Sequence, residues 1–368
     1  MIVHGIELTN FRNIRAAALS FSPRANVITG RNAQGKTNLL EAIHLFSLGR
    51  SFRTRSLEET IRFGEEYFFA RLAGRSDGGV DFRIEIGLER DGRTKVGVNG
   101  AKASGIAEII GMIPSVIFAA EDVLLATGPP AGRRAYLDYT AAQVSPAFLR
   151  DLKDYRRILR HRNALLEGAS RDRREPDGLA AWDEALAAKA ASIVAVRREV
   201  LGEVAERAGA ILADIMPGSS GFEMAYLCSF DAGAEDPAAA LREALERARE
   251  AEIRRGLTLA GPHYDDVAIG LDSVELRRYG SQGRKRLVAL VLKLAQALTI
   301  MDKRGERPVV LLDDIFSELD RETVERTRRH LTAGYQSFVT TPRPDELGPA
   351  GPETAFFRVE AGEFFVSF

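Results

Sequence analysis

One octapeptide constrains this chain more than any other part of it. Gly30-Arg31-Asn32-Ala33-Gln34-Gly35-Lys36-Thr37 spells the phosphate-binding loop G-x-x-x-x-G-K-T. Such a loop works only between a buried strand and a helix. Ala25 to Thr29 is a short apolar run that predicts the strand. Residues 37–48 carry helical spacing, with Leu39, Leu40, Ile43, Leu45 and Phe46 grouped toward one side. A glycine-rich turn opening into a helix aims backbone N–H groups and the positive helix end at an anion. In that frame Gly30 to Gly35 wrap the phosphates, Lys36 reaches the β- and γ-phosphates, and the Thr37 hydroxyl binds Mg²⁺. The motif predicts an α/β domain that binds a nucleoside triphosphate.

A second segment completes the site. Residues 307–314, Arg-Pro-Val-Val-Leu-Leu-Asp-Asp, read as an apolar strand ending in two carboxylates, a Walker B arrangement. Expected beside the P-loop strand, it would deliver Asp313 to Mg²⁺ and leave Asp314 to polarise the attacking water. Upstream, Gly280-Ser281-Gln282-Gly283-Arg284-Lys285 precedes an amphipathic helix from Leu287 to Met301. Ser281, Gln282 and Gly283 would offer a hydroxyl and backbone N–H groups at that helix start, a second anion site. Ser317-Glu318-Leu319-Asp320 follows the carboxylates. This order of motifs is that of ABC-type ATPases. In that class the signature loop binds the γ-phosphate held by the other protomer, and a D-loop, here ending at Asp320, completes the interface. Two ATP molecules are then sandwiched in a head-to-tail homodimer.

The 368 residues suggest two domains, or one with an insertion. Residues 1–127 are strand-rich, with alternating runs at Tyr67 to Ala73, Val80 to Glu89 and Arg93 to Val98. Asp91-Gly92 and Asn99-Gly100 are hairpin turn signals. They predict an antiparallel sheet beside the nucleotide core. Residues 128–256 read as a helical arm, with periodic stretches at Leu149 to Leu166, Ala180 to Gly209 and Pro237 to Arg255, and a loop from Gly168 to Gly178. Residues 257–368 return to strands, at Val267 to Leu271, Val274 to Tyr279, Pro308 to Asp313, Ser337 to Thr341 and Phe356 to Val366. The two strand-rich parts are expected to form one ATPase head around the inserted arm.

Other classes recede. Cys228 is the only cysteine, so no internal disulfide framework exists, and a reducing compartment fits. The N-terminal residues lack a basic-then-apolar leader, and Leu287 to Ile300 is too short and polar to span a bilayer, so a cytoplasmic protein is expected. The formal net charge is −1, so any DNA contact must rest on local clusters of arginine. On the helix from Leu149, Lys153, Arg156, Arg157 and Arg160 form a basic strip flanked by Arg150 and Arg162, while Leu152, Tyr155, Leu159 and Leu166 can face a core. Such a strip suits phosphates without sequence preference.

The chain resembles the RecF family, bacterial DNA replication and repair proteins among the SMC/Rad50-like ABC ATPases. The resemblance rests on Leu8-Thr9-Asn10-Phe11-Arg12-Asn13, the P-loop through Ile43, and Ser47-Leu48-Gly49-Arg50-Ser51-Phe52-Arg53. It continues in Glu121-Asp122, Arg133-Arg134 with Leu137-Asp138, Gly261-Pro262-His263 with Asp265-Asp266, and the signature, Walker B and D-loop segments. It therefore covers essentially the whole chain. The departures are Tyr264, where the family carries a basic residue, and Arg284-Lys285, where glutamine is usual.

The resemblance implies an ABC-type ATPase head with an antiparallel β-subdomain and an inserted helical arm. It implies ATP and Mg²⁺ as cofactors and an ATP-dependent homodimer. It also implies a recombination mediator that binds double- and single-stranded DNA at gaps and junctions, works with RecR and RecO to load RecA, and supports the SOS response. By the same resemblance Arg12 would touch nucleotide phosphates, and Arg50 and Arg53 would meet phosphate or DNA. Hydrolysis should be slow, because Asp314 is shorter than the glutamate usual at this place. The switch histidine is replaced as well, since Phe338-Val339-Thr340-Thr341-Pro342 carries threonines. Losing one polar contact to a transition state can cost ~10²–10³ in rate. The competing reading is the ATPase subunit of a membrane transporter, which the helical insertion, Asp314 and the missing histidine disfavour.

Overall fold

The computed structural model describes residues 1–54, 56–172, 174–218, 221–315, 321–331, 334–343 and 353–367. The first stretch runs β1 (Ile2–Phe11), β2 (Ile14–Ser20), β3 (Ala25–Thr29), α1 (Lys36–Leu48), β4 (Tyr67–Arg75), β5 (Asp81–Glu89), β6 (Thr94–Val98), β7 (Ala101–Lys102) and β8 (Ser115–Phe118). The middle runs α2 (Leu124–Thr127), α3 (Pro130–Val144), α4 (Pro146–Asp172), α5 (Leu179–Ile215), β9 (Phe222–Leu227), α6 (Pro237–Arg255), β10 (Asp266–Leu271), β11 (Val274–Glu275) and α7 (Leu276–Tyr279). The last runs α8 (Gln282–Arg304), β12 (Val309–Asp313), α9 (Arg321–Leu331), β13 (Ser337–Thr341), β14 (Thr354–Glu360) and β15 (Glu363–Ser367). Two compact units result. One holds Met1–Val123, Ile211–Pro217 and Arg286–Phe368; the other holds Leu124–Ala210 and Gly218–Lys285.

In the first unit, an antiparallel sheet has the order β2-β1-β4-β5-β6-β7, and a second sheet the order β15-β14-β3-β13-β12-β8. Strands β14, β3, β13, β12 and β8 of the second sheet are parallel, with β15 antiparallel at its edge. The expected hairpin turns are in place: Val98 pairs Ala101 across Asn99-Gly100, both with positive φ. Helix α1 shares one hydrophobic cluster with both sheets, which explains why Leu39, Leu40, Ile43 and Phe46 are wholly buried. It is buried on nearly all sides, Glu41 and His44 included, where a one-sided apolar face was expected. Each such buried Leu or Phe contributes about 1.5–3 kcal/mol, so packing rather than propensity fixes the helix that carries the P-loop.

The second unit is not purely helical. Strands β11-β10-β9 form a small antiparallel sheet among α2 to α7. Residues 257–285, read from sequence with the ATPase head, belong here, because β10 pairs β9 along its whole length. Three local expectations also change. Helix α4 continues through Gly168 to Asp172. Residues 276–279 turn into helix after the short β11. Residues 356–366 fold as a hairpin, β14 and β15, about the positive-φ pair Ala361-Gly362.

Candidate nucleotide site

The site lies at the carboxyl ends of β3, β13 and β12, where parallel sheets receive ligands. Strand β12 was expected beside β3, but β13 lies between them. Helix α1 leaves β3 and packs over β13 and β12, which is how residues two strands apart meet.

The P-loop depends on its glycines. Gly30 has φ 151°, Ala33 65° and Gly35 118°. A Cβ on Gly30 would stand 2.5 Å from the Val359 carbonyl oxygen, and one on Gly35 would stand 2.8 Å from Asn13 Oδ1. The loop is braced from two turns. Asn13 Nδ2 donates to the Gln34 carbonyl at 2.9 Å, and the Gly362 and Ala361 N–H groups donate to the Gln34 carbonyl and Oε1 at 2.9 and 2.6 Å. Arg31, Asn32 and Ala33 face solvent. The N-cap residue of α1 is Gly35, which has no side chain to spend on the first N–H groups, and these suit an anion.

Lys36 is buried, and its ammonium donates to the carbonyls of Gly30 at 2.7 Å and Arg31 at 3.0 Å. Burial lowers its pKa, and the carboxylates of Asp314 and Asp313 oppose that shift. The Thr37 hydroxyl lies 2.8 Å from Asp313 Oδ1 and 2.9 Å from Oδ2. Two hard oxygen donors this close fit Mg²⁺, which takes most of its ligands from phosphates and water. Among the described residues no three His, Cys, Asp or Glu side chains are grouped to hold a metal ion. Asp314 follows at φ 52°, its N–H bonded to the Thr340 carbonyl at 3.2 Å and hydroxyl at 3.0 Å. Thr340, read from sequence only as part of a segment lacking a histidine, also donates to Asp313 Oδ1 at 2.7 Å.

Arg12, expected at the nucleotide phosphates, is anchored here by protein partners through three of its N–H donors. It makes a bidentate pair with Glu41 on α1 and donates to the Glu59 carbonyl. Glu41 is wholly buried and also accepts from Ser51 Oγ at 2.5 Å. Arg53 lies 3.5 Å from Glu41 and donates to Asn38 Oδ1 at 2.8 Å, while Asn38 donates to Asn13. Glu41 thus ties both arginines to the P-loop helix, a role sequence reasoning missed because it treated Glu41 only as part of a motif. Arg50 is half-buried; its charge is one cause of the depressed pKa of His44, after burial and Lys293.

In the second unit, Ser281, Gln282 and Gly283 are exposed at the start of α8. Ser281 Oγ accepts from the Arg284 N–H at 3.3 Å and its carbonyl from Lys285 at 3.0 Å, so it caps the helix and still faces solvent. Asp320 and the rest of the D-loop segment lie outside the described residues. On α4, Lys153, Arg156, Arg157 and Arg160 are exposed, with Arg157 paired to Asp154 at 3.0 Å and Arg156 to Asp138 at 3.5 Å. Arg162 does not flank that strip on the surface. It is wholly buried between Asp183 and Glu252, because a guanidinium there has two carboxylates to satisfy it. Leu159 is only partly buried and Ile158 takes the core position. Arg133, Arg134, Asp265 and Asp266 knit α3 to β10, and Asp265 also accepts from Tyr226 and Ser229. Tyr264 is half exposed beside them.

A P-loop on a parallel sheet, a second antiparallel sheet and an inserted helical unit together define an SMC-type ATPase head. The sequence profile of the RecF/RecN/SMC N terminal domain matches residues 2–362. The DNA replication and repair protein RecF of Shouchella clausii is 35% identical over 369 residues, 98% of each chain. That of Bacillus subtilis is 36% identical over 373 residues, 98% of this chain and 99% of the relative. The solved structure of the recombination mediator protein RecF-ATPrS in the RecFOR pathway superposes at TM-score 0.91 with 34% identity, covering 99% of this chain and 97% of that one. An SMC head bound to the C-winged helix domain of ScpA, at TM-score 0.59 and 17% identity over 100% of this chain and 98% of that one, shares the fold. The chain belongs to the RecF family. Among the described residues no helix is long and apolar enough to cross a membrane.

Proposed function

We propose that the chain is an ATP-dependent, DNA-binding recombination mediator that acts in replication and gap repair in the cytoplasm. The observation that carries the nucleotide part is the 2.8 Å contact between Thr37 and Asp313, which joins the two halves of an ATP site from residues 276 apart. Lys36 would exchange its bonds to the loop carbonyls for the β- and γ-phosphates. Thr37 and Asp313 would hold Mg²⁺, which neutralises charge on those phosphates when bound. Asp314 would orient the attacking water. Exposed Ser281, Gln282 and Gly283 would close on the triphosphate held by a second copy, with Asp320 completing the interface, so that ATP drives a homodimer and slow hydrolysis opens it. DNA at gaps and junctions, RecR, and RecO and RecA downstream are the partners that the family supports, with the SOS response depending on the same clamp. Arg12 and Arg53, tethered by Glu41, retain N–H donors for phosphate.

Sedimentation with and without ATP tests this reading. Wild type should dimerise only with ATP, Lys36→Met should lose nucleotide binding, and Ser281→Arg should bind nucleotide yet stay monomeric. A Ser281→Arg chain that still dimerises would remove the signature turn from the mechanism. Gel shifts on gapped DNA should show ATP-dependent retention; a transporter subunit would show none.

A further inference from the structure

We propose that Thr340 is a positioning residue that aims both Walker B carboxylates through one hydroxyl. The inference rests on the ATP-site reading above and extends it to a side chain no motif names. Strand β13 stands between the P-loop strand and β12, with Thr340 paired to Asp313 on one side and to Ile28 on the other. The side chain is 1% exposed, so water cannot substitute for it. Its single proton goes to Asp313 Oδ1 at 2.7 Å, since the other acceptor in reach, the Leu312 carbonyl, is at 3.5 Å. Its lone pair accepts the Asp314 N–H at 3.0 Å, a donor the Thr340 carbonyl shares at 3.2 Å.

The two bonds have different consequences. The first fixes the rotation of the Asp313 carboxylate, which keeps both of its oxygens within reach of Thr37, at 2.8 and 2.9 Å. The second holds the turn that puts Asp314 at φ 52°, a left-handed conformation that costs energy in a non-glycine residue and needs support. Valine has the same shape and can make neither bond. Serine can make both.

The test compares Thr340→Val and Thr340→Ser with wild type in the full chain. It measures nucleotide affinity in EDTA, Mn²⁺ binding to the nucleotide complex by electron paramagnetic resonance, and ATP turnover. Thr340→Val should bind nucleotide in EDTA as wild type does, need several-fold more Mn²⁺ for half-saturation, and lose about 10- to 100-fold in kcat. Thr340→Ser should restore both. Should valine prevent folding, Thr340→Ala carries the same expectation without added bulk. Wild-type Mn²⁺ affinity and kcat in the valine or alanine variant would overturn the proposal, as would a serine variant as impaired as valine. A wild-type chain that binds no nucleotide at all would instead overturn the ATP site itself.

Discussion

Glu41 is wholly buried in the P-loop helix and grips the guanidinium of Arg12 with both carboxylate oxygens, at 2.6 and 3.0 Å. The pair links the β1–β2 turn to α1, so it sets where the phosphate-binding helix begins relative to the antiparallel sheet. Arg12→Ala would leave a buried carboxylate with only Ser51 and the longer Arg53 contact. Removing one partner of a buried pair costs about 3–5 kcal/mol. Urea unfolding should show the midpoint fall at an unchanged slope, and a loss too small to resolve would mean Arg53 replaces Arg12 in full.

His44 gives a pH prediction. It is buried on α1 with Nδ1 3.0 Å from Ser115 Oγ, and burial, then the charges of Lys293 and Arg50, lower its pKa to about 3. His263, 2.6 Å from the Tyr155 hydroxyl, is lowered to about 4, chiefly by burial. Below the unfolded value near 6.5 the unfolded chain takes up protons that the folded chain refuses. Stability is therefore complete above pH 6.5 and falls as pH drops, by up to about 1.4 kcal/mol per unit for each imidazole. His44→Gln should show a shallower decline between pH 6.5 and 5 in urea melts. Parallel declines would place the proton uptake elsewhere.

Asp314 should limit turnover. Asp314→Asn keeps the shape and removes the charge facing Lys36, which is among the groups that feel it. Hydrolysis should fall by ~10²-fold, the scale of losing one placed polar group. ATP binding should survive, and the ATP-bound dimer should outlast that of wild type in a sedimentation time course. Turnover equal to wild type would assign the water to another group.

What the sequence disclosed and what it hid divide along range. The P-loop was legible because Gly30 and Gly35 answer a local demand, a backbone at positive φ. Asp313 and Asp314 were legible because they end an apolar strand. That β13 separates β3 from β12 was not, since it depends on β3 pairing with β13 residues 312 positions further along the chain. Arg162 misled for the same reason. It lies two residues beyond Arg160 on α4, and its carboxylate partners Asp183 and Glu252, 21 and 90 residues away, are what show that it is buried. The β14–β15 turn was hidden inside what read as one strand, because Ala361-Gly362 lacks the usual asparagine or aspartate signal.

The basic strip on α4 supplies the DNA prediction. Arg157 is paired with Asp154 at 3.0 Å and Arg156 lies 3.5 Å from Asp138, so each must trade a carboxylate for a phosphate. Among the described residues, Lys153 and Arg160 are the exposed members of the strip that have no carboxylate partner to give up. Each cation that neutralises a phosphate releases counterions and adds about 0.9 to the slope of log affinity against log salt. Lys153→Ala with Arg160→Ala should therefore weaken binding to gapped DNA equally across sequences and flatten the salt slope by about 2. Loss of affinity at an unchanged slope would indicate a distorted helix rather than lost phosphate contacts. An unchanged affinity would move the DNA surface off α4, leaving Arg50 and Arg53 as the next cations to remove.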